Sequence, residues 1–112
     1  MEVYFATKAL EKRLGSEKAR VRAFGSDTAR RIRLRIDQLV SSPTLEEMRG
    51  FGGRCHELTG DRADQLAVWV TANLRLVFEP ADDPVPKRAG GDLDWDHVTA
   101  VRILEVVDYH GD

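Results

Sequence analysis

Residues 66–79 read LAVWVTANLRLVFE and predict an antiparallel hairpin. Leu66 to Thr71 and Leu74 to Glu79 are both short and rich in β-branched, aromatic or other large apolar residues, which favours strands. Ala72-Asn73 between them suits a tight turn, because asparagine tolerates a positive φ. The sequence therefore has a two-stranded unit near its centre, and the rest of a sheet can form beside it.

Three further segments extend this sheet on either side of the hairpin. Arg54 to Leu58 and Val101 to Val107 alternate or concentrate apolar residues in the same way, and Glu2 to Ala6 is predicted as a short first strand. Pro80 to His97 contains three prolines, two adjacent glycines and five aspartates. We expect it to form a long surface loop between the last two strands.

The first half of the chain has the periodicity of helices. A helical pattern runs from Thr7 to Phe24-Gly25, with Gly15 expected to break or bend it. Ser26-Asp27 is predicted as the N-cap of a long amphipathic helix that Ser41-Ser42-Pro43 ends. Thr44 to Arg49 is predicted as a short further turn before the linker. The apolar face of the long helix consists of Ile32, Ile36, Leu39 and Val40.

Together these elements predict one α+β domain over residues 1–112. Two N-terminal helices are expected to pack on a mainly antiparallel, twisted sheet of four to five strands. The helices would cover one face of this sheet and leave the other as a concave surface.

Composition limits the classes of function. The chain has 112 residues, 42% apolar and 32% charged, and no apolar run near the roughly 20 residues that a membrane helix needs. One cysteine, Cys55, excludes an internal disulfide and fits the cytoplasm. The three histidines lack metal-site spacing, so neither a metal nor another cofactor is expected.

The net charge of −2 combines two halves of opposite sign. Residues 1–54 carry 12 Lys and Arg against 7 Asp and Glu, a net of +5, whereas residues 55–112 carry 5 against 12, a net of −7. A basic surface that binds nucleic acid and an acidic segment that binds a basic partner are both compatible with this pattern, as are two ordinary solvated surfaces.

Three motifs resemble one family of proteins. They are CHELTGDR at 55–62, WVTANLRLVF at 69–78 and EVVDYH at 105–110. In order and spacing they resemble the RelE/ParE superfamily of bacterial toxins, most of all its HigB-like plasmid-maintenance killer branch. The resemblance extends over the layout of the whole chain and is most specific in residues 54–79 and 101–110.

The resemblance implies a toxin of a type II toxin–antitoxin system that cleaves mRNA on the ribosome. The implied partners are the ribosome, mRNA and a cognate HigA-like antitoxin with a helix-turn-helix DNA-binding domain. The implied catalytic residues are His56, Arg75, Asp108, Tyr109 and His110. The basic residues expected to contact RNA or the ribosome are Lys12, Arg30, Arg31, Arg33 and Arg35.

These residue types suit metal-free cleavage of RNA by its own 2′-OH. Such cleavage needs a base, an acid and a positive charge at the phosphate. His56 and His110 can serve as base and acid in either order, with Asp108 orienting an imidazole or aiding proton transfer. Arg75 can bind the phosphate with its planar fork, and Tyr109 can stack on a base or donate a proton.

Two other functions remain open. One is a ParE-like inhibitor of DNA gyrase, which needs no acid–base residues. The other is a catalytically degenerate toxin that only binds an antitoxin. Outside the resemblance, each site residue also has an ordinary structural reading, as a surface histidine, a hairpin arginine or the end of a strand.

Overall fold

The computed structural model describes residues 1–109 and shows an α+β fold. It confirms the predicted fold class. Within these residues the elements in chain order are β1 (Glu2–Phe5), α1 (Lys8–Leu14), α2 (Glu17–Phe24), α3 (Ser26–Ser41), a 3₁₀ helix (Leu45–Gly50), β2 (His56–Glu57), a 3₁₀ turn (Gly60–Arg62), β3 (Leu66–Trp69), β4 (Leu74–Pro80), a 3₁₀ turn (Trp95–His97) and β5 (Ala100–Asp108).

The five strands form one mixed sheet in the order β1-β5-β4-β3-β2. The predicted hairpin is confirmed as β3 and β4, with Leu66 opposite Phe78 and Trp69 opposite Arg75. Every neighbouring pair is antiparallel except β1 and β5, which run parallel. A register shift between Val77 and Phe78 bends the pairing of β4 with β5.

Gly15 separates the first helical segment into two helices. Thr7 caps α1 by accepting a hydrogen bond from Leu10, and Ser16 caps α2 in the same way. A Cβ atom at Gly15 would lie 2.5 Å from the carbonyl oxygen of Glu11, so a larger residue does not fit there. The expected break at Gly15 is thus complete, and three helices precede the sheet strands β2 to β5.

The N-cap predicted at Ser26-Asp27 is wrong, because Gly25 occupies that position. Gly25 has φ 83° and makes no side-chain cap bond, and Ser26 is already helical. The Gly25 N–H donates to Val21 at the end of α2, while its carbonyl accepts from Ala29 in α3. One glycine in the left-handed region therefore ends one helix and begins the next, a conformation that glycine adopts without strain.

The hydrophobic core lies between the helices and one face of the sheet. Leu14, Ile32 and Leu39 from the helices pack with strand residues such as Val68 and Phe78, all fully buried. Large apolar residues on strands are usually buried, so the sequence predicts core positions for both Trp69 and Phe78, and for Phe78 this is confirmed. The same prediction for Trp69 is wrong: its side chain is only half-buried, because strand alternation places it on the opposite face.

The long segment between β4 and β5 is a surface loop only in part. Residues 83–92 are mostly exposed, as predicted, but Leu93, Trp95 and Val98 are buried in the core cluster. The indole N–H of Trp95 donates to Glu57 over 3.0 Å, and the Arg49 guanidinium lies 3.7 Å from the ring centre. The second part of this loop therefore belongs to the core.

Among the helices of residues 1–109, none has both the length and the apolar content needed to cross a lipid bilayer.

Candidate functional site

The sheet face opposite the helices, called the distal face below, carries the candidate site. His56 pairs with Ala67, and Arg75 pairs with Trp69. Ala67 and Trp69 flank Val68, which packs in the core, so these four side chains lie on the distal face. The structure therefore brings His56 and Arg75 to one face, with Cα atoms roughly 12 Å apart from the strand spacing and the residue rise.

Arg75 lies near the start of the central strand β4, next to the β3–β4 turn, and is only 2% exposed. Its Nη1 donates to the carbonyl oxygens of Thr71 at 3.0 Å, Ala72 at 3.2 Å and Leu74 at 3.2 Å. Its guanidinium carbon lies 4.0 Å from the centre of the Trp69 ring. The guanidinium thus holds the β3–β4 turn together and places a permanent positive charge beneath the distal face.

Trp69 and Arg54 are site residues that the sequence analysis missed. The guanidinium carbon of Arg54 lies 4.5 Å from the centre of the Trp69 ring, so two arginines stack on one indole. Arg54 is exposed and has φ 52°. No local pattern reveals this stack, because its three members come from the segment before β2, from β3 and from β4.

His56 is exposed at the start of β2, and its Nδ1 lies 2.8 Å from the carbonyl oxygen of Arg54. A carbonyl oxygen only accepts hydrogen bonds, so Nδ1 carries the proton. In the neutral ring this leaves the lone pair on Nε2. The backbone of Arg54 therefore fixes the tautomer in which His56 can act as a general base.

Tyr109 follows β5 on the same side of the sheet as Arg75. Its N–H donates to the Asn73 carbonyl over 2.6 Å, and its ring centre lies 6.0 Å from the Arg75 guanidinium carbon. Asp108 pairs with Leu74, whose side chain packs against the core, so alternation directs Asp108 away from the distal face. The predicted catalytic residue His110 lies outside the described residues.

Two other arginines of the distal face are held in ion pairs. Arg62 donates to Glu105 over 3.1 Å, and this hydrogen bond raises the pKa of the Arg62 guanidinium. Arg102 donates to Glu79 over 2.6 Å. Arg62 and Arg102 thus differ from Arg54 and Arg75, whose guanidiniums stack on the Trp69 ring.

The basic residues predicted to contact RNA or the ribosome lie on the helices, away from this face. Lys12 is on α1 and the four arginines are on α3. Arg30 pairs with Asp27 at 3.1 Å and Arg33 with Asp37 at 3.5 Å, both on the solvated helix surface. Lys12 and Arg31 are also exposed. Four of the five predicted contact residues are therefore accessible on the outer surface of the helices.

Arg35 has a different role from the other basic residues of α3. Its Nε donates to the Trp69 carbonyl over 2.7 Å and its Nη1 to Gln38 over 3.0 Å. Burial, followed by the charge of Arg31, lowers the pKa of Arg35. A Cβ atom on Gly53 would lie 3.2 Å from the Arg35 guanidinium, so a larger residue there would require this side chain to shift. Arg35 thus anchors α3 to the end of β3 beneath the Trp69 stack.

Cys55 is not suited to act as a nucleophile although it precedes His56. Its side chain is buried, and burial raises the pKa of the thiol to about 12. The thiol therefore stays protonated at neutral pH. Within residues 1–109, His, Cys, Asp and Glu side chains form no group of three or more that could hold a metal ion.

A cavity of about 500 Å³ lies near the other end of β4. Its lining includes Glu79, Asp82, Asp83 and Lys87, so its charge is predominantly acidic. His56, Arg75 and Tyr109 do not contribute to it. Of the described residues, the candidate catalytic groups therefore belong to an open surface rather than to this cavity.

Comparison with known proteins finds solved structures that are similar to this one. No protein-family model and no curated protein matches the sequence. A YoeB/ParE toxin from Agrobacterium tumefaciens superimposes with a TM-score of 0.55 at 13% identity, over 98% of this chain and 100% of the other. A YoeB–YefM complex from Staphylococcus aureus gives a TM-score of 0.58 at 14% identity, over 98% and 97%.

The chain has the fold of the YoeB/ParE toxins. This supports the RelE/ParE resemblance as far as structure is concerned, over nearly the whole length of the chain. The more specific HigB-like assignment stays a prediction, since both neighbours are named for other members. At 13% and 14% identity the similarity concerns the fold, so the activity has to be argued from the distal face itself.

Proposed function

We propose that this protein is the toxin of a toxin–antitoxin pair and that it cleaves mRNA by metal-free acid–base chemistry on the distal face. The observation that carries the proposal is the hydrogen bond between His56 Nδ1 and the Arg54 carbonyl, which leaves Nε2 as a base on the same sheet face as the two guanidiniums stacked on Trp69. The toxin fold of the structural neighbours supports it.

The reaction begins at the 2′-OH of the RNA. His56 Nε2 takes the 2′-OH proton, and the oxygen attacks the adjacent phosphorus. The bond between phosphorus and the 5′ oxygen then breaks, and an acid protonates the leaving oxygen. The products are a 2′,3′-cyclic phosphate and a 5′-OH end. We assign the acid to His110, as the motif implies, with the Tyr109 hydroxyl as the other candidate. Alternation directs Asp108 away from the distal face, so its role in orienting an imidazole or aiding proton transfer stays a prediction.

Positive charge is needed as the phosphorane forms, because it carries one more negative charge than the phosphodiester. Arg75 supplies a charge fixed by three carbonyl contacts, so it requires no reorganisation during the reaction. The half-buried Tyr109 ring beside it offers a surface on which a base can stack.

Two kinds of partner follow from this proposal. Lys12, Arg30, Arg31 and Arg33 on the outer helix surface contact ribosomal RNA, while the distal face receives the mRNA. Arg35 supports the distal face by holding α3 against the end of β3. The second partner is an antitoxin, which we expect to be a HigA-like helix-turn-helix protein; the S. aureus neighbour is itself described in a complex with YefM.

The test is cleavage of a reporter mRNA in a reconstituted translation system, with ends mapped by primer extension. We expect the wild type to cut only translated mRNA and His56→Gln to lower the rate about 100-fold or more, as loss of a general base does. His97→Gln is the matched control, since His97 is also exposed and bonded through Nδ1, but to Asp94 at 2.8 Å. Full activity of a folded His56→Gln variant would reject His56 as the base.

A second candidate function is inhibition of DNA gyrase, favoured by the ParE part of the Agrobacterium neighbour's name. It predicts stalled supercoiling by gyrase and intact mRNA in the translation system. A catalytically degenerate toxin predicts neither effect and no growth arrest when the protein is expressed without an antitoxin.

A further inference from the structure

The Trp69 ring is covered by two arginines that differ in how firmly they are held. Arg75 is buried and donates to three backbone carbonyls. Arg54 is exposed, and within residues 1–109 its side chain contacts the ring without a hydrogen bond or an ion pair. The donors of Arg54 are therefore available to an incoming anion, whereas Nη1 of Arg75 is already engaged.

The backbone of Arg54 is held in a conformation that residues other than glycine rarely adopt. Its φ of 52° lies in the left-handed region. Hydrogen bonds on both sides maintain it: the Trp69 N–H donates to the Gly53 carbonyl over 2.7 Å, and His56 Nδ1 bonds to the Arg54 carbonyl over 2.8 Å. Residues kept in strained conformations by their surroundings concentrate at functional sites. Here the strain places an exposed guanidinium two residues from the candidate base.

The other arginines of the distal face are less able to bind a new anion. Arg62 and Arg102 already donate to Glu105 and Glu79. A phosphate that approached either of them would meet a carboxylate at the same place and would have to displace it. Arg54 is therefore the guanidinium of this face that a phosphate can reach without breaking an ion pair.

Resting on the proposed function, we propose that Arg54 and Trp69 form a binding subsite for single-stranded RNA next to His56. Arg54 leaves the ring and donates two hydrogen bonds to a phosphate, and a nucleobase takes its place on the indole. The exchange is favourable because a base stacks on an aromatic ring more strongly than an exposed guanidinium does. Arg75 stays beneath the ring and keeps it in position.

The binding test uses tryptophan fluorescence with a 2′-O-methyl RNA hexanucleotide, which cannot be cleaved through its 2′ oxygen. We expect the oligonucleotide to quench Trp69, and Trp69→Phe to remove the change while the buried Trp95 remains. Arg54→Gln should raise the Kd for the oligonucleotide about tenfold or more, because it removes hydrogen bonds between a charged group and the phosphate. Arg22→Gln, on the exposed surface of α2, is the matched control and should bind as the wild type does.

Arg54→Gly separates binding from folding, since glycine adopts a positive φ without strain and should leave the backbone intact. Arg54→Lys keeps the charge but lacks the planar fork, so it should recover only part of the affinity. In the translation system, Arg54→Gln and Arg54→Gly should raise KM for ribosome-bound mRNA more than they lower kcat.

The outcomes distinguish the subsite from the proposed function. If the wild type cleaves mRNA and both Arg54 variants match it in affinity and KM, the subsite is overturned and the function stands. If the wild type cleaves nothing but binds the hexanucleotide through Arg54 and Trp69, the nuclease function is overturned and the subsite stands. If it neither cleaves nor binds, both are overturned.

Discussion

Replacing Arg75 by alanine should destabilise the protein. The stability of this variant therefore has to be measured before a change in its activity is attributed to catalysis. Arg75 is 2% exposed, and its guanidinium donates to three carbonyl oxygens at the β3–β4 turn and stacks on Trp69 at 4.0 Å. Arg75→Ala removes all of these contacts and leaves a gap beneath the indole. Loss of the proposed activity in this variant would therefore combine unfolding with any loss of chemistry.

The size of the effect follows from the contacts. Hydrogen bonds from a charged group contribute about 1.5–3 kcal/mol, and the stack on tryptophan adds about 1 kcal/mol. Removing a buried charge also returns its desolvation cost, so we expect a net loss of about 3 kcal/mol. With an unfolding entropy of about 0.24 kcal/mol/K for a chain of this length, Tm should fall by about 12 °C.

Thermal denaturation followed by circular dichroism measures this directly. Arg75→Met retains an apolar stem against the Trp69 ring and should lose less stability than Arg75→Ala. The exposed Arg22→Ala should stay within about 0.5 kcal/mol of the wild type. A Tm for Arg75→Ala within 3 °C of the wild-type value would refute the view that the guanidinium holds the hairpin. Activity of Arg75 variants should be compared well below their own Tm.

Two further predictions concern the stability of the fold. Asp82 accepts hydrogen bonds from the Thr99 hydroxyl at 2.7 Å and from the backbone N–H groups of Thr99 and Ala100; burial acts to raise its pKa, but these bonds outweigh it and lower the pKa below its ordinary value. The stabilisation by Asp82 is therefore present above about pH 4 and lost as pH falls through the folded pKa. Asp82→Asn should lower the free energy of unfolding, measured by urea titration, by about 1 kcal/mol at pH 7 and by progressively less below pH 4. An equal loss at both pH values would contradict the assignment. Gly15→Ala should lower Tm, since its Cβ would lie 2.5 Å from the Glu11 carbonyl oxygen; a loss of about 1–3 kcal/mol is expected for such crowding, and an unchanged Tm would show that α1 can shift.

Much of the fold follows from local pattern. The hairpin of residues 66–79 was predicted because period-2 alternation and a turn-forming asparagine agree, and the break at Gly15 because glycine disfavours helix interiors. The N-cap of α3 was misplaced, since Ser26 and Asp27 are typical capping residues while Gly25 caps by backbone geometry alone. A local pattern does not show which of two adjacent residues the tertiary structure uses.

The candidate site was predictable only in part. The motifs identified His56, Arg75 and Tyr109, and the structure brings these three to the distal face. Arg54 and Trp69 were missed because their contact depends on the register of three separate segments. The size of Trp69 favours a core position, but the alternation of β3 places it on the other face, where its neighbours depend on how the strands are aligned.

The position of β5 in the sheet determines the order in which a newly synthesised chain can form its structure. Residues 2–5 find their partners only at residues 100–103, and β5 also completes the pairing of β4. The helices and the β3–β4 hairpin need only nearby sequence, whereas closing the sheet spans almost the entire chain and is expected to come late. Until residues 100–108 have left the ribosome, the surface around Arg75 lacks its neighbouring strand. A protein proposed to act on translating ribosomes would therefore complete the surface around its own candidate site only after residues 100–108 have emerged from a ribosome.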